Sequence, residues 1–132
     1  MTAATVRAAT LALAAVTLGL WVIDIVRQVE LGVADTGLVF YAVAGVAAVL
    51  VAVVVATQPG RERLALLIAG WLLLSVLDDL AVDWPVSRSA ATVWMLAHGL
   101  APAAYALMVL AYPSGRLRAR SERAVVGLAA AA

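Results

Sequence analysis

Ionisable side chains are few in this sequence, so each one that falls inside an apolar run is a candidate for chemistry. Asp24 sits in the last turns of the run that ends at Val29. A carboxyl in a membrane segment is a functional candidate by default. Arg27 and Gln28 follow at spacings that allow pairing along a helix. The plainer reading is an ion pair near the outer headgroups. Asp78, Asp79 and Asp83 form the densest acidic group. Asp79 and Asp83 stand at i, i+4, where like charges repel. Arg88, a cation or a proton would offset that repulsion. Oxygen ligands alone would suit a hard cation, but the group lacks a calcium-loop pattern, and a solvated acidic rim is the simpler account. We therefore expect no dedicated metal site.

His98 is the only histidine. Pro102 lies four residues later, and a proline ring clashes with the carbonyl four residues back. The expected result is a kink at His98. Trp94, His98 and Tyr105 share roughly one helical face. A polar ring beside an opened carbonyl suits a ligand contact, a haem ligand or a proton site. The plainer reading is a buried histidine hydrogen-bonded to a neighbouring helix. Asp24, Asp78, Asp79 and His98 are thus the candidate signal, ligand or proton site, with no cofactor implied. The sequence has no cysteine, which removes disulfides, thiolate metal sites and cysteine nucleophiles. It also has no Gly-rich phosphate loop, histidine pair at metal spacing or nucleophile–base constellation. The expectation is a chain that is not an enzyme.

The elements that must carry these residues are read from composition. Of the 132 residues, 66% are hydrophobic and 13% charged, against about 45–50% and about 25% in soluble domains. A spanning helix needs about 20 mainly apolar residues. Four runs qualify, at about 8–29, 37–56, 64–82 and 90–112. The fold class expected is all-α, an integral membrane four-helix up-down bundle in a single domain 1–132. Arg7 and the run behind it fit a signal peptide in part, but the run is too long for an h-region and reads as a retained helix. Breaks fall at Glu30–Gly37, at the Pro59-Gly60 turn signal and at Pro85, where Ser87 or Ser89 can cap the next helix. A basic segment, 113–123, follows the fourth run. An apolar stub, 124–132, then reads as the start of a fifth helix in a longer protein or as a short interfacial tail.

Charge sets the topology. Arg7, Arg61, Arg63, Arg116, Arg118, Arg120 and Arg123 fall on one side, and Arg27 and Arg88 on the other. The positive-inside rule puts both termini in the cytoplasm of a multi-pass protein of the plasma membrane. Trp21, Phe40, Tyr41, Trp84 and Trp94 would make an outer aromatic belt, and Tyr112 an inner one. Arg116, Arg118, Arg120 and Arg123 would be a cytoplasmic basic anchor on anionic headgroups. Small residues repeat at Ala44, Ala48, Ala52 and Ala56, beside Gly45, and at Ala8, Ala12, Ala15 and Gly19. Such stripes allow close helix approach, either within the bundle or at a homodimer seam. The net charge of +1 makes no case for nucleic acid.

Tyr112-Pro113-Ser114-Gly115-Arg116-Leu117-Arg118 and Ser121-Glu122-Arg123 resemble a stretch in the N-terminal membrane regions of actinobacterial sensor histidine kinases. There, a helix ends in an aromatic-Pro-Ser-Gly-Arg-Leu sequence, and a basic segment leads to another membrane helix. Gln58-Pro59-Gly60-Arg61, ahead of Trp71-Leu72-Leu73-Leu74, resembles the short cytoplasmic turn of such regions. The resemblance implies a non-catalytic input region that relays an outer-side or intramembrane signal to the cytoplasm. A kinase core would lie downstream, and a response regulator would be met only through it. No catalytic residue of the family maps onto these positions. The rival expectations are a small transporter or channel subunit, with the outer acids as a cation vestibule, and a structural membrane partner packing through the alanine stripes.

Overall fold

The computed structural model describes residues 2–32, 35–83, 88–112, 116–117 and 119–130, with the backbone alone for 81–83, 88 and 90. Among them are five helices: α1 (Ala3–Glu30), α2 (Thr36–Thr57), α3 (Glu62–Asp83), α4 (Arg88–Leu110) and α5 (Arg120–Ala129). The described residues form no strand. Local chemistry sets the ends. Thr2 Oγ1 accepts from the Thr5 amide and starts α1, and Asp35 Oδ1 does the same for Leu38 in α2. These bonds satisfy amides that have no partner within the helix. Between α2 and α3 the Arg61 amide donates to the Gln58 carbonyl across Pro59-Gly60, with Gly60 at φ +80°. Proline fixes the second position of such a turn, and the third needs a positive φ that glycine adopts freely. Gly32, also at φ +80°, lies just past the Leu31 cap of α1, where a left-handed residue ends a helix.

Three helices are long and apolar enough to cross a bilayer: Ala3–Glu30, Thr36–Thr57 and Ala91–Leu110. They mark the chain as a membrane protein by length and composition. The third expected span is not among them on the described residues. Its apolar run is bracketed by Arg63 on one side and by Asp78 and Asp79 on the other.

α3 is the axis of the packing. It contacts α1, α2 and α4, while α1 and α2 also contact each other. Among the described residues α4 touches only α3 and α5. The arrangement is a three-helix core with α4 laid on one side of its central member. Ala14, Val49, Ala52, Ala69 and Leu72 form the centre of that core, and Leu64, Ala65, Val76 and Leu80 extend it along α3. Contacts between the helices set the directions. Arg7 near the start of α1 meets Glu62 at the start of α3. At the other end Tyr41, early in α2, meets Asp79, late in α3. Asp78 meets His98 midway along α4, and Trp71, earlier in α3, meets Tyr105, later in α4. Successive helices therefore run up, down, up and down.

The small-residue stripes divide differently from the expectation. Ala52 and Ala56 are buried, but Ala44 is exposed, and the buried row is Gly45, Val49, Ala52 and Ala56. A strict four-residue repeat drifts about 40° per step on a helix of 3.6 residues per turn, so it cannot stay on one seam. In α1, Ala8, Ala12, Ala15 and Gly19 all face outward, while Val6, Thr10, Ala14, Thr17 and Asp24 face the core. Residues 124–129 of the stub are helical, and α5 starts at Arg120, four residues ahead of the apolar run. Pro113, Ser114, Gly115 and Arg118 of the basic segment lie outside the described residues.

Candidate functional site

The four candidate residues fall into two groups on opposite sides of α3. The first begins with Asp24, which is fully buried. Gln28, one turn on, donates from Nε2 to Asp24 Oδ2 at 2.9 Å. Asp24 Oδ1 is buried and meets no partner among the described residues. Across from it, Tyr41 of α2 donates its hydroxyl to Asp79 Oδ2 of α3 at 2.8 Å. The Asp24 carboxyl lies near that hydroxyl without a hydrogen bond to it. Tyr41 thus stands between a buried carboxyl on α1 and an exposed one on α3. Its ring packs on Trp21, with centroids 4.8 Å apart. Trp21 in turn lies flat against Gly45, where an added Cβ would overlap the indole. The glycine is there because the ring needs its space.

This packing corrects the aromatic-belt expectation for two of its members. Trp21 and Tyr41 turn inward onto each other, because Gly45 opens a slot between α1 and α2. Phe40, next in sequence, does face outward. Trp84 and the Asp83 side chain lie outside the described residues. Asp24 is not a snorkelling surface pair, since helix packing closes over it. Arg27, one turn away, makes contacts of its own.

The second group joins α3 to α4. His98 Nδ1 lies 3.2 Å from both Asp78 carboxylate oxygens. Trp94 stacks on the imidazole, with centroids 5.2 Å apart and planes 23° apart. The His98 side chain is 65% exposed and that of Asp78 27%. So His98 does bond a neighbouring helix, but at the surface rather than buried as the plainer sequence reading had it. The reason is that α4 has one packing neighbour in the span region and covers α3 on one side only. Tyr105 does not share the Trp94–His98 stack. It pairs with Trp71 of α3, with centroids 5.5 Å apart. α4 continues as helix through Pro102.

At the far end Arg7 Nη2 donates to Glu62 Oε1 at 3.0 Å. A hydrogen bond from its own backbone amide at the start of α3 is the main cause that holds the Glu62 carboxyl below its usual range. Partial burial works against this, and the Arg7 guanidinium adds to it. Among the described residues no three His, Asp or Glu side chains gather where they could hold a metal ion.

Sequence reasoning passed over the row that leads to Asp24. Thr10, Thr17 and Asp24 recur every seven residues and are all fully buried. Thr10 Oγ1 donates to the Val6 carbonyl, whereas Thr17 Oγ1 meets no partner among the described residues. The seven-residue spacing was the available signal, because it keeps residues on nearly one helix face.

Compared with family models, curated proteins and solved structures, this chain matches none. What the site can do therefore follows from its geometry. The Asp24 group holds one open carboxylate oxygen beside the Tyr41–Asp79 hydrogen bond. The Asp78–His98 contact can make or break one fastening between α4 and the core.

Proposed function

We propose that this chain is a non-catalytic membrane input region. It is a four-span up-down bundle with both ends at the cytoplasmic face, relaying a change in its outer half to α5. The observation that carries the reading is the order of attachment. Among the described residues α4 packs on the core only through α3, and α5 packs only on α4. The outer fastening of α4 is the exposed Asp78–His98 contact. A ligand or charge that alters it acts on α4 alone and moves α5 with it, since packed helices shift by about 1–2 Å as units. The sequence resemblance at Tyr112–Arg123 supports placing an effector such as a kinase core downstream, with a response regulator as its partner.

The sequence has no cysteine, so paired spin labels can be placed freely. With labels at Thr57→Cys and Val125→Cys in liposomes, Asp78→Asn and His98→Ala should each shift the distance distribution. Distributions unchanged in both variants would reject the relay. Substituting Arg116, Arg118 and Arg120 by Glu should disturb the orientation of reporter fusions, and unchanged orientation would count against the topology.

The open oxygen on fully buried Asp24 favours a second reading, a small cation-transporting subunit. Cation flux into liposomes that is lost in Asp24→Asn would select it.

A further inference from the structure

The helix that follows the basic segment has three faces. Glu122, Val126 and Ala129, at i, i+4 and i+7, are its half-buried residues, and they form the side that meets α4. Ala124, Val125 and Leu128 form a second strip and are exposed, Leu128 to 71%. Arg120 and Arg123, at i and i+3, form a third strip and are also exposed. At about 100° per residue the apolar strip lies between the α4 side and the basic strip. The first turn is ordered locally, with the Ala119 amide donating to Glu122 Oε2 at 2.9 Å.

A helix that crosses a bilayer is apolar all round, whereas one that lies in the interface pairs an apolar strip with a basic one. α5 has the second pattern. It also sits where that pattern is useful, in the segment that follows an apolar helix and its exposed Tyr112. We infer that α5 lies in the plane of the membrane on an anionic leaflet. Val125 and Leu128 enter the acyl boundary, and Arg120 and Arg123 engage headgroup phosphates. The occupant of the open strip is a lipid surface rather than protein, because the arginines beside it complement anionic headgroups. The inference rests on α4 spanning the membrane, and it does not require the relay.

A single environment-sensitive fluorophore at Leu128→Cys tests this in the full chain reconstituted into vesicles. In vesicles rich in phosphatidylglycerol the probe should be shielded from water and quenched by a shallow lipid-borne quencher. In pure phosphatidylcholine the docked fraction should fall, by roughly fivefold for each arginine that loses its anionic surface. Arg120→Glu with Arg123→Glu should expose the probe in phosphatidylglycerol, and the double lysine variant should restore shielding. Equal shielding in both lipids would overturn the inference. So would quenching from the bilayer centre, which marks a crossing helix, or energy transfer between differently labelled copies, which marks a second chain as the occupant. The label pair for the relay reads α5 against α2, so either test can fail without the other.

Discussion

Asp78 and Asp79 are adjacent in the chain and serve different parts of the molecule. Asp79 accepts from Tyr41 and belongs with Trp21, Gly45 and buried Asp24 in the three-helix core. Asp78 faces His98 and belongs with Trp94 on the exposed side of α4. In the core, an indole fills a slot made by a missing Cβ, and Asp24 is enclosed, while Asp79 reaches Tyr41 from the surface. On the α4 side, the aromatic and polar groups lie at the surface of one helix pair. Two polar groups a residue apart can therefore differ in how firmly the fold holds them. Asp79 is tied to a core that three helices share, while Asp78 ties a single helix pair that is available to an outside influence.

Substitutions on the two sides should separate along this line. Gly45→Ala forces its methyl into Trp21, and overpacking of this kind costs about 1–3 kcal/mol. Thermal unfolding in detergent should show the largest loss of this series, and an unchanged midpoint would mean that the slot is not tight. Tyr41→Phe removes the bond to Asp79 and should cost less, about 0.6 kcal/mol as for hydrogen bonds between membrane helices. His98→Ala should cost no more than about 0.5 kcal/mol, as for an exposed ion pair. It should free a spin label on α4 while one on α2 stays fixed. Equal loosening of both labels would erase the distinction between core and arm.

The smallest effect belongs to Glu62, at the inner end of the core. Its carboxyl is held below the usual value of 4.5, first by its own backbone amide. A carboxyl depressed on folding stabilises the protein above its unfolded value, and that contribution is lost as the pH falls through the lower folded one. Wild-type stability should therefore fall in acid below about 4.5 slightly more than that of Glu62→Gln. Parallel pH profiles would show that neither the backbone amide nor the Arg7 contact lowers this carboxyl on folding.

Much of this molecule was legible before any coordinates. Apolar run length dictated helices, because a backbone in lipid must satisfy its own hydrogen bonds. Pro59-Gly60, Asp35 and Gly32 dictated where helices turn, since each acts through its own local geometry. The rarity of charge in apolar runs singled out Asp24, Asp78, Asp79 and His98. Their grouping was not legible. Nothing in the spacing of Asp78 and Asp79 says that one meets α2 and the other α4, and the choice comes from how α3 is rotated among its neighbours. Tyr41 passed for an interfacial aromatic, and Gly45 for one small residue in an alanine stripe. Only the approach of α2 to α1, which seats Trp21 on Gly45, and to α3, which brings Tyr41 up to Asp79, gives those two residues their roles. Such contacts depend on side chains far apart in sequence meeting at van der Waals distance, and that information resides in the packing.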